Sequence, residues 1–431
     1  MDSFEINVVG LSQKWDSFEA GVELAKDLVN QSHIDEFDLV LVFSTIQYRT
    51  NGGFQKLLDG FYSIIKGSTK LVGGTVAGFT IPQGCFTHGV AAFALKSNKI
   101  DFAVAENIKR NPEKSAGQCA IKIDSILKTS KFKNKFILSL PSGTTTPYIP
   151  GVSENSRVIR SKVLSKLLIY SLKLSLLFFQ KGPGREETII ETLASKLPDY
   201  DMIGGSFIDD NKGYFNYQFY NNKVYTNMLF VVGLSTDYKL SVNSNFGLVK
   251  RGENFKITKT SVYGLVIEKI NGKDAFGEIL NVLKWPEYFL NDSARILKRT
   301  FYAPIGYEVD GKQYTSMIAF IYGMGVVVSP KVRSETAFIM MNSGKSIIDV
   351  VDQNINDTKG KKIKFGLISS CIVRLETLGS STYKVHEKLL EHFGSAPFIQ
   401  IDVVGEDIYT KKYGAKRIAD SFNTAIFYEG D

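Results

Sequence analysis

The chain has 431 residues, which is too long for one hydrophobic core and predicts two or three domains. Its hydrophobic fraction of 44% and charged fraction of 22% exclude a disordered or fibrous protein. Its net charge of +8 is concentrated in residues 122–185, which hold twelve basic and two acidic side chains. The three cysteines lie far apart and exclude a disulfide framework and a CxxC zinc site, so we expect a cytoplasmic protein.

The N-terminal part of the chain predicts alternating helices and strands. Apolar residues recur at helical spacing in residues 16–29 and again in 54–65, which indicates two amphipathic helices. Residues 39–43 and 90–95 are continuous apolar runs typical of buried strands. The motif Leu71-Val-Gly-Gly-Thr75 ends a further strand, and glycines in such a place allow close approach of backbone or ligand.

A second copy of this pattern follows and contains an insertion. It has apolar runs at 135–140 and 228–234, a helical pattern at 186–197, and the motif Ile203-Gly-Gly-Ser206. The stretch between its first strand and its glycine pair is about twice as long as in the first copy. We therefore predict an inserted basic, helical segment at about residues 148–182.

A third and fainter copy closes the chain. Its strands are predicted at 364–369 and 424–427, its helix at 383–393, and Val403-Val-Gly-Glu406 stands where the other copies have their glycine pairs. Glu406 thus replaces a glycine of the turn in this copy.

These patterns predict a mixed fold with two domains. Between the second and third copies, Asn-Gly at 271–272 and Asp-Gly at 310–311 predict hairpin turns. Repeated β-α-β-β units together with hairpins favour an α/β (mixed α+β) fold of layered sheets with packed helices. We place the two domains at residues 1–235 and 236–431.

The basic insertion carries one helix with an unusual charge pattern. Residues 157–181 contain no acidic side chain, and Lys162, Lys166 and Lys173 lie on one stripe at helical spacing. A transmembrane span is not expected, since each internal lysine would cost about 2.5–3.5 kcal/mol at the bilayer centre. Such a helix can lie on an anionic membrane, dock a protein partner, or be an ordinary helix with a solvated lysine stripe. No nucleic-acid-binding module is evident.

A series of motifs resembles the FIST domain family, in the order in which that family has them. They are Gly73-Gly-Thr-Val-Ala-Gly78, Ile203-Gly-Gly-Ser-Phe-Ile-Asp-Asp210 with residues 217–224, Ile368-Ser-Ser-Cys-Ile-Val-Arg374, Val404-Gly-Glu-Asp-Ile408 and Asn423-Thr424. The resemblance covers most of the chain. The basic insertion is one departure from the family pattern. A second is Tyr314-Thr315, which replaces a Val-Arg pair and casts doubt on an anion contact there.

The resemblance implies a sensory domain that binds a small ligand such as an amino acid, with no established catalytic mechanism and no cofactor. It makes residues 1–235 similar to the family's N-terminal region and residues 236–431 similar to its C-terminal region. A signal would then pass through a protein partner.

The ends of the predicted strands are where we expect the ligand, because open α/β sheets bind ligands at such edges. Arg374 could hold a carboxylate and Glu406 an ammonium group, so together they would recognise an amino acid. The alternative is an ion pair between these two side chains. The other candidate ligand-binding residues from the same edges are Gly73, Gly74, Thr75, Gly204, Gly205, Ser206, Asp209, Cys371, Asn423 and Thr424.

Cys371 leaves an enzymatic alternative open. A cysteine-dependent hydrolase or acyltransferase would need a base near this thiol, and no histidine partner is fixed by spacing. The glycine pairs match neither phosphate-binding pattern and are best interpreted as close-packing turns. No metal site is expected, because Asp209-Asp210 has no third ligand at a workable spacing.

Overall fold

The fold is described from a computed structural model. The structure describes residues 5–143, 145, 158–159, 161–174, 185–286, 288 and 299–430. Most of the predicted insertion at 148–182 therefore lies outside the described residues.

The elements form three groups. A separate block is inserted in the third group, directly after its first strand. The first group has β1 (Glu5–Ser12), α1 (Ser17–Ser32), β2 (Leu39–Ser44), α2 (Phe54–Tyr62), β3 (Lys70–Thr75), β4 (Gly78–Ile81), β5 (Gly84–Phe86) and β6 (Val90–Ser97). The second has β7 (Ile100–Ile108), α3 (Pro112–Leu127), β8 (Asn134–Pro141), β9 (Val158–Ile159), α4 (Lys162–Leu174), α5 (Glu186–Lys196), β10 (Asp201–Ser206), β11 (Gln218–Tyr220), β12 (Lys223–Tyr225) and β13 (Met228–Thr236).

The third group begins with β14 (Lys239–Asn245) and is then interrupted. The inserted block has β15 (Val249–Ser261), β16 (Val266–Ile270), β17 (Lys273–Asp274), α6 (Ala275–Leu283), β18 (Ile305–Val309), β19 (Lys312–Tyr322), β20 (Gly325–Ser329) and β21 (Thr336–Met341). The third group continues with α7 (Gly344–Ile355), β22 (Ile363–Cys371), α8 (Ile372–Leu378), α9 (Tyr383–Phe393), β23 (Phe398–Tyr409), β24 (Lys416–Ile418) and β25 (Phe422–Tyr428).

One strand order occurs in all three groups. The neighbouring strands run β1-β6-β2-β3 in the first group, β7-β13-β8-β10 in the second and β14-β25-β22-β23 in the third. In each group the second strand of this order is antiparallel to both of its neighbours, and the last two strands are a parallel pair. Because parallel neighbours need a crossover, each pair is connected through a helix, namely α2, α5 or α9. The mixed α+β fold predicted from the sequence is confirmed.

Each group donates a hairpin to the sheet of another group. The β4–β5 hairpin of the first group pairs with β23, and the β11–β12 hairpin of the second group pairs with β3. The end of β23 pairs with β10 on one side and with β24 on the other. This exchange extends the outer edge of every four-stranded order, so each group depends on another for its full sheet.

A shared core lies where the three groups meet. Phe93 packs against Phe365, with 5.3 Å between ring centroids, and Phe136 packs against Phe427 at the same distance. All four rings are at most 2% exposed, and each pair joins two different groups. Since burying one such side chain stabilises the fold by about 1.5–3 kcal/mol, these contacts bind the groups to one another.

The inserted block forms an eight-stranded sheet. Its order is β15-β21-β18-β19-β20-β16-β17, with β9 added beside β19. The two predicted hairpin turns occur there: φ is 51° at Asn271 and 77° at Gly272, and 51° at Asp310 and 70° at Gly311. The block separates β14 from α7, whereas the predicted domain boundary at 235 falls at the end of β13.

Helix α4 lies against the inserted block. Ser165 is buried and its hydroxyl donates to the carbonyl oxygen of Ile159 (3.0 Å). On the outer side, Val163, Leu167 and Tyr170 are 81%, 63% and 61% exposed. The side chain of Lys162 is not among those that the structure describes. No helix in the described ranges has the length and hydropathy needed to span a bilayer.

Candidate functional site

A cluster of charged side chains is buried where β22, β23 and the start of β25 meet. Each member is at most 6% exposed. The cluster consists of the guanidinium groups of Arg374 and Arg417 and the carboxyl groups of Asp402, Glu406, Asp407 and Asp420. Charged groups are almost never buried without partners, because desolvation of an ion costs several kcal/mol. The hydrogen bonds within the cluster therefore decide which members are structural.

Arg417 forms the structural half of the cluster. Its Nη1 donates to Asp407 Oδ1 at 2.8 Å, and its Nη2 donates to Ser206 Oγ at 2.6 Å and to the Val404 carbonyl at 2.9 Å. Gly405 has φ +64° and lies directly beside this guanidinium, so that no side chain fits there. Ser206, a predicted ligand residue, is thus a hydrogen-bond partner of the protein's own arginine.

One terminal nitrogen of the Arg374 guanidinium is hydrogen-bonded, and the other is not. Its Nη2 donates to the Ile347 carbonyl at 2.7 Å, and its guanidinium carbon lies 5.0 Å from the centroid of the Phe422 ring. Its Nη1 has no hydrogen-bond partner among the described residues. Burial lowers the pKa of Arg374 to about 10, which leaves the group positively charged at neutral pH.

Two carboxyl groups near Arg374 also have oxygens without a hydrogen-bond partner in the described residues. Glu406 Oε2 accepts from the backbone N–H and the hydroxyl of Ser421, at 3.2 and 3.3 Å, whereas Oε1 accepts no hydrogen bond in the described part of the chain. Both oxygens of Asp420 are likewise unpaired there. Burial raises the pKa of Asp420 to about 7 and that of Glu406 well above its usual value.

The alternative ion pair between Arg374 and Glu406 is not formed. Across the described ranges, no ion pair within 4.0 Å includes either side chain. The two groups are nevertheless close enough for the charge of Glu406 to raise the pKa of Arg374 against the larger effect of burial.

Cys371 lies inside the cluster with its thiol 1% exposed. Burial, and then the neighbouring carboxyl groups of Glu406 and Asp420, raise the pKa of this thiol well above 9. Its backbone N–H donates to the Ser421 carbonyl at 3.0 Å, which connects the end of β22 to the start of β25. The thiol is therefore protonated at neutral pH, whereas a nucleophilic cysteine needs a depressed pKa.

The remaining predicted residues serve several different contacts. Asn423 donates to the Asp407 carbonyl (3.0 Å) and accepts from Ser244 (2.6 Å), while Thr424 Oγ1 is buried with no hydrogen-bond partner in the described residues. Thr75 Oγ1 accepts from the backbone N–H of Tyr217 (3.0 Å). Asn423 and Thr424 lie at the start of β25, which pairs with β22, whereas Thr75 ends β3 and pairs with Ser44.

The Asp209 carboxylate is hydrogen-bonded to the backbone of the loop that follows it. Its two carboxylate oxygens accept four backbone N–H groups at 2.7–3.1 Å, from Lys212, Gly213, Tyr214 and Phe215. A side chain bonded in this way orders the loop before β11. Among the described residues, Asp209 forms no hydrogen bond with Arg374 or Glu406.

The glycine pairs permit close approach of neighbouring strands. A Cβ atom at Gly73 would overlap the Val42 carbonyl, and one at Gly204 would overlap the Ser139 carbonyl. Gly74 and Gly205 face the donated hairpins. The glycines therefore allow close packing of neighbouring strands, which is the role that the sequence favours for them.

In the strand register, Asp402 lies at the position that the other two groups fill with glycine. The residues that pair with the donated hairpins are Gly74, opposite Gln218, and Gly205, opposite Glu406. In the third group the corresponding pair is Asp402 opposite Gly78. Asp402 rather than Glu406 therefore stands where the other groups have glycine, and Glu406 corresponds to Gln218 on a hairpin.

A pocket of about 350 Å³ opens beside Asp402, between the β4–β5 hairpin and helices α8 and α9. Asp402, Phe79, Phe86 and Leu375 are among its lining residues. Its volume is at the lower end of the range for small-molecule sites.

Four cluster members were not predicted: Asp402, Asp407, Arg417 and Asp420. Gln400 and Asp402 alternate with apolar residues inside an otherwise apolar strand, which is a readable signal of polar side chains that share one face. Nothing local in the sequence marks Arg417 or Asp420 as buried.

The arrangement defines a mixed α+β protein with a buried polar site and an adjoining small-molecule pocket. The FIST N domain matches residues 38–273, which is more than half of the chain, and the chain belongs to the FIST domain family. It is thus a sensory domain that binds a small ligand. The motifs from Cys371 to Thr424 lie beyond the matched range.

Other comparisons add little. No curated protein matches the chain. Among solved structures it is similar to a cyanuric acid hydrolase from A. caulinodans, with 7% identity and a TM-score of 0.37, over 99% of this chain and 100% of that one. A second cyanuric acid hydrolase structure has 8% identity and a TM-score of 0.36 over the same shares of the two chains. Similarities of this size support no conclusion about this chain.

Proposed function

We propose that the chain is a sensor for an amino acid or a small carboxylate, with the ligand's carboxylate held by Arg374. The observation that carries this proposal is the unpaired Nη1 of a fully buried, charged guanidinium. A buried polar group without a partner costs about 1–3 kcal/mol, and more when it is charged. A bound carboxylate would supply the missing acceptor.

The ammonium group of an amino acid would meet the carboxyl groups on the other side. Oε1 of Glu406 and both oxygens of Asp420 are unpaired in the described structure, so acceptors are present around the donor of Arg374. Because burial raises the pKa of both carboxyl groups, a cation would also favour their ionised forms.

The wider role rests on the family and on the cysteines. We propose that ligand binding is signalled through a protein partner and that residues 1–235 and 236–431 act as two domains. All three cysteines are free, which is consistent with a reducing, cytoplasmic location.

A thermal-shift screen of amino acids and small carboxylates tests the proposal. A true ligand at 100 times its Kd stabilises the protein by about 2.7 kcal/mol and raises the melting temperature. We expect Arg374→Ala to abolish the shift and Arg374→Lys, which keeps the charge, to weaken it. Arg251→Ala, an exposed arginine on the inserted block, is the matched control.

The proposal fails if no compound shifts the wild-type protein, or if the shift survives in Arg374→Ala. Circular dichroism of each variant establishes that it is folded before the ligand is added.

A further inference from the structure

The pocket beside Asp402 is built by two parts of the chain that are distant in sequence. The Cys85 thiol, on the β4–β5 hairpin, donates to the Thr382 carbonyl at 3.7 Å, and Nε2 of His386 donates to the Pro82 carbonyl at 3.0 Å. These contacts hold the hairpin of the first group against the start of α9 in the third group. The two walls of the pocket are therefore fixed by tertiary contacts.

The described lining of this pocket has one acidic side chain and no lysine or arginine. Asp402 is that acid, and the one basic residue in the lining is His386, whose ring is already hydrogen-bonded. Phe79, Phe86 and Leu375 contribute apolar surface, and the two phenylalanine rings pack with 5.6 Å between their centroids. A few polar groups in an apolar cavity are typical of small-molecule sites. The charge of this one favours a cationic ligand over an anionic one.

The Asp402 carboxyl group is buried against neutral donors. It is 2% exposed, and its Oδ1 accepts from Gln400 Nε2 at 3.0 Å. Among the described residues, no ion pair within 4.0 Å includes Asp402. Arg374 lowers the pKa of Asp402 through its charge, but it does not line the pocket, and the larger effect of burial raises this pKa to about 7. An ammonium group in the cavity would supply the missing charge-assisted hydrogen bond.

Gly78 leaves room for the Asp402 carboxyl group beside the hairpin. A Cβ atom at Gly78 would lie 3.1 Å from Asp402 Oδ2 and 3.0 Å from the Phe86 carbonyl oxygen, which is tighter than nine in ten real Cβ contacts. In the first two groups the strand has the glycine, opposite Gln218 or Glu406. Of these three edges, the one beside Asp402 has its acid on the strand, where the pocket opens.

We propose that the pocket binds a small organic amine without a carboxylate, whose ammonium group donates to Asp402 and whose apolar body lies against Phe79, Phe86 and Leu375. Aromatic rings near the acid suit this ligand, because an ammonium group is also attracted to the face of a ring. The site is separate from the carboxylate site proposed at Arg374, since that side chain does not line the pocket. A carboxylate on the ligand would meet no lysine or arginine in the described lining.

Isothermal titration at pH 8 with four molecules that share a phenyl ring tests the inference. They are phenethylamine, the neutral phenethyl alcohol, the anionic hydrocinnamate and the zwitterionic L-phenylalanine. We expect phenethylamine to bind about ten times or more tightly than each of the others, because it alone combines a net positive charge with the apolar body.

A change of the acid tests the ammonium contact. Asp402→Asn keeps the shape of the side chain and is expected to weaken phenethylamine binding about tenfold or more, while phenethyl alcohol binding changes little. Asp237→Asn, at an exposed carboxyl group on the turn between β13 and β14, is the control for the loss of one negative charge.

A second pair of variants tests the location and leaves the acid in place. Ser380 is exposed and lines the pocket, so Ser380→Trp is expected to block phenethylamine binding. Ser195 is exposed on α5 and does not line the pocket, so Ser195→Trp is the matched control. Circular dichroism establishes that each variant is folded. If Asp402→Asn does not fold, Ser380→Trp and the comparison of the amine with the alcohol decide.

The outcomes separate this inference from the proposed function. The inference holds if phenethylamine binding is lost in Asp402→Asn and Ser380→Trp and kept in both controls. It is overturned if the wild-type protein binds no phenethylamine, if the alcohol binds equally well, or if either pocket variant binds the amine normally. Carboxylate binding that depends on Arg374 and not on Asp402 would support the proposed function in any of these cases.

Discussion

Replacing Asp420 with asparagine is expected to stabilise the protein, and more so as the pH rises. Asp420 is buried, both its oxygens are unpaired in the described structure, and burial raises its pKa from 3.8 to about 7. Its φ of 64° lies in the left-handed region, which asparagine tolerates better than most residues. Asp420→Asn therefore removes the ionisation and leaves the backbone conformation possible.

The sign of the pH effect follows from the raised pKa. The folded state holds the Asp420 proton more tightly than the unfolded state, so this group's contribution to stability is full below about pH 4 and is lost as the pH rises to about 7. A difference of about three pKa units corresponds to roughly 4 kcal/mol. The advantage of Asp420→Asn is expected to be about 2 kcal/mol at pH 5 and about 4 kcal/mol at pH 8.

Urea unfolding of both proteins at pH 5 and pH 8 measures this change. The comparison between the two pH values cancels any constant effect of the amide on packing. Asp237→Asn alters an exposed carboxyl group on the turn between β13 and β14 and controls for the loss of one charge. An advantage that stays the same at both pH values, or a variant that loses stability at pH 8, would mean that Asp420 is ionised and paired with Arg374 in the folded protein.

Three further predictions follow from the packing. Gly73→Ala would drive a Cβ into a carbonyl of the neighbouring strand and is expected to cost about 3 kcal/mol or more in urea unfolding, whereas Gly67→Ala, which meets no atom within 4 Å, is tolerated. Iodoacetamide is expected to leave Cys371 unmodified in the folded protein and to label it in urea, as read by mass spectrometry. Leu167→Glu on the exposed side of α4 is expected to weaken binding to phosphatidylserine vesicles about tenfold, whereas Ile121→Glu, on α3, is not.

Each of these has a contrary outcome that would be decisive. Equal stability of the two glycine variants would mean that β2 and β3 can separate at no cost. Rapid labelling of folded Cys371 would revive the cysteine-dependent hydrolase or acyltransferase. If the wild-type protein does not bind the vesicles, α4 is an ordinary helix or a site for a protein partner.

Local chemistry in the sequence was enough to predict many elements. Asp16 caps α1 by accepting from the Glu19 N–H, and Gly394 ends α9 with a positive φ, as expected from their residue types. The Asn-Gly turn at 271–272 is of the same kind. In each case a few neighbouring residues determine the conformation, so the prediction needs no knowledge of the rest of the chain.

The donated hairpins could not be read in the same way. The pairing of Gly78 with Asp402 joins residues on different sequence copies, and no local pattern specifies which copy receives a hairpin. The motif alignment therefore gave Glu406 the place of the glycine, although the register gives it to Asp402. The burial of Arg417 and Asp420 depends on the same long-range pairing.

The register of the donated hairpins sets the edge beside Asp402 apart from the two other edges. Where a glycine on the strand faces Gln218 or Glu406, the side chain opposite the glycine is buried completely. Where Gly78 faces Asp402, the side chain comes from the strand and the space above the hairpin is left open. One reversal of residue types within a shared backbone pattern therefore coincides with the pocket beside Asp402.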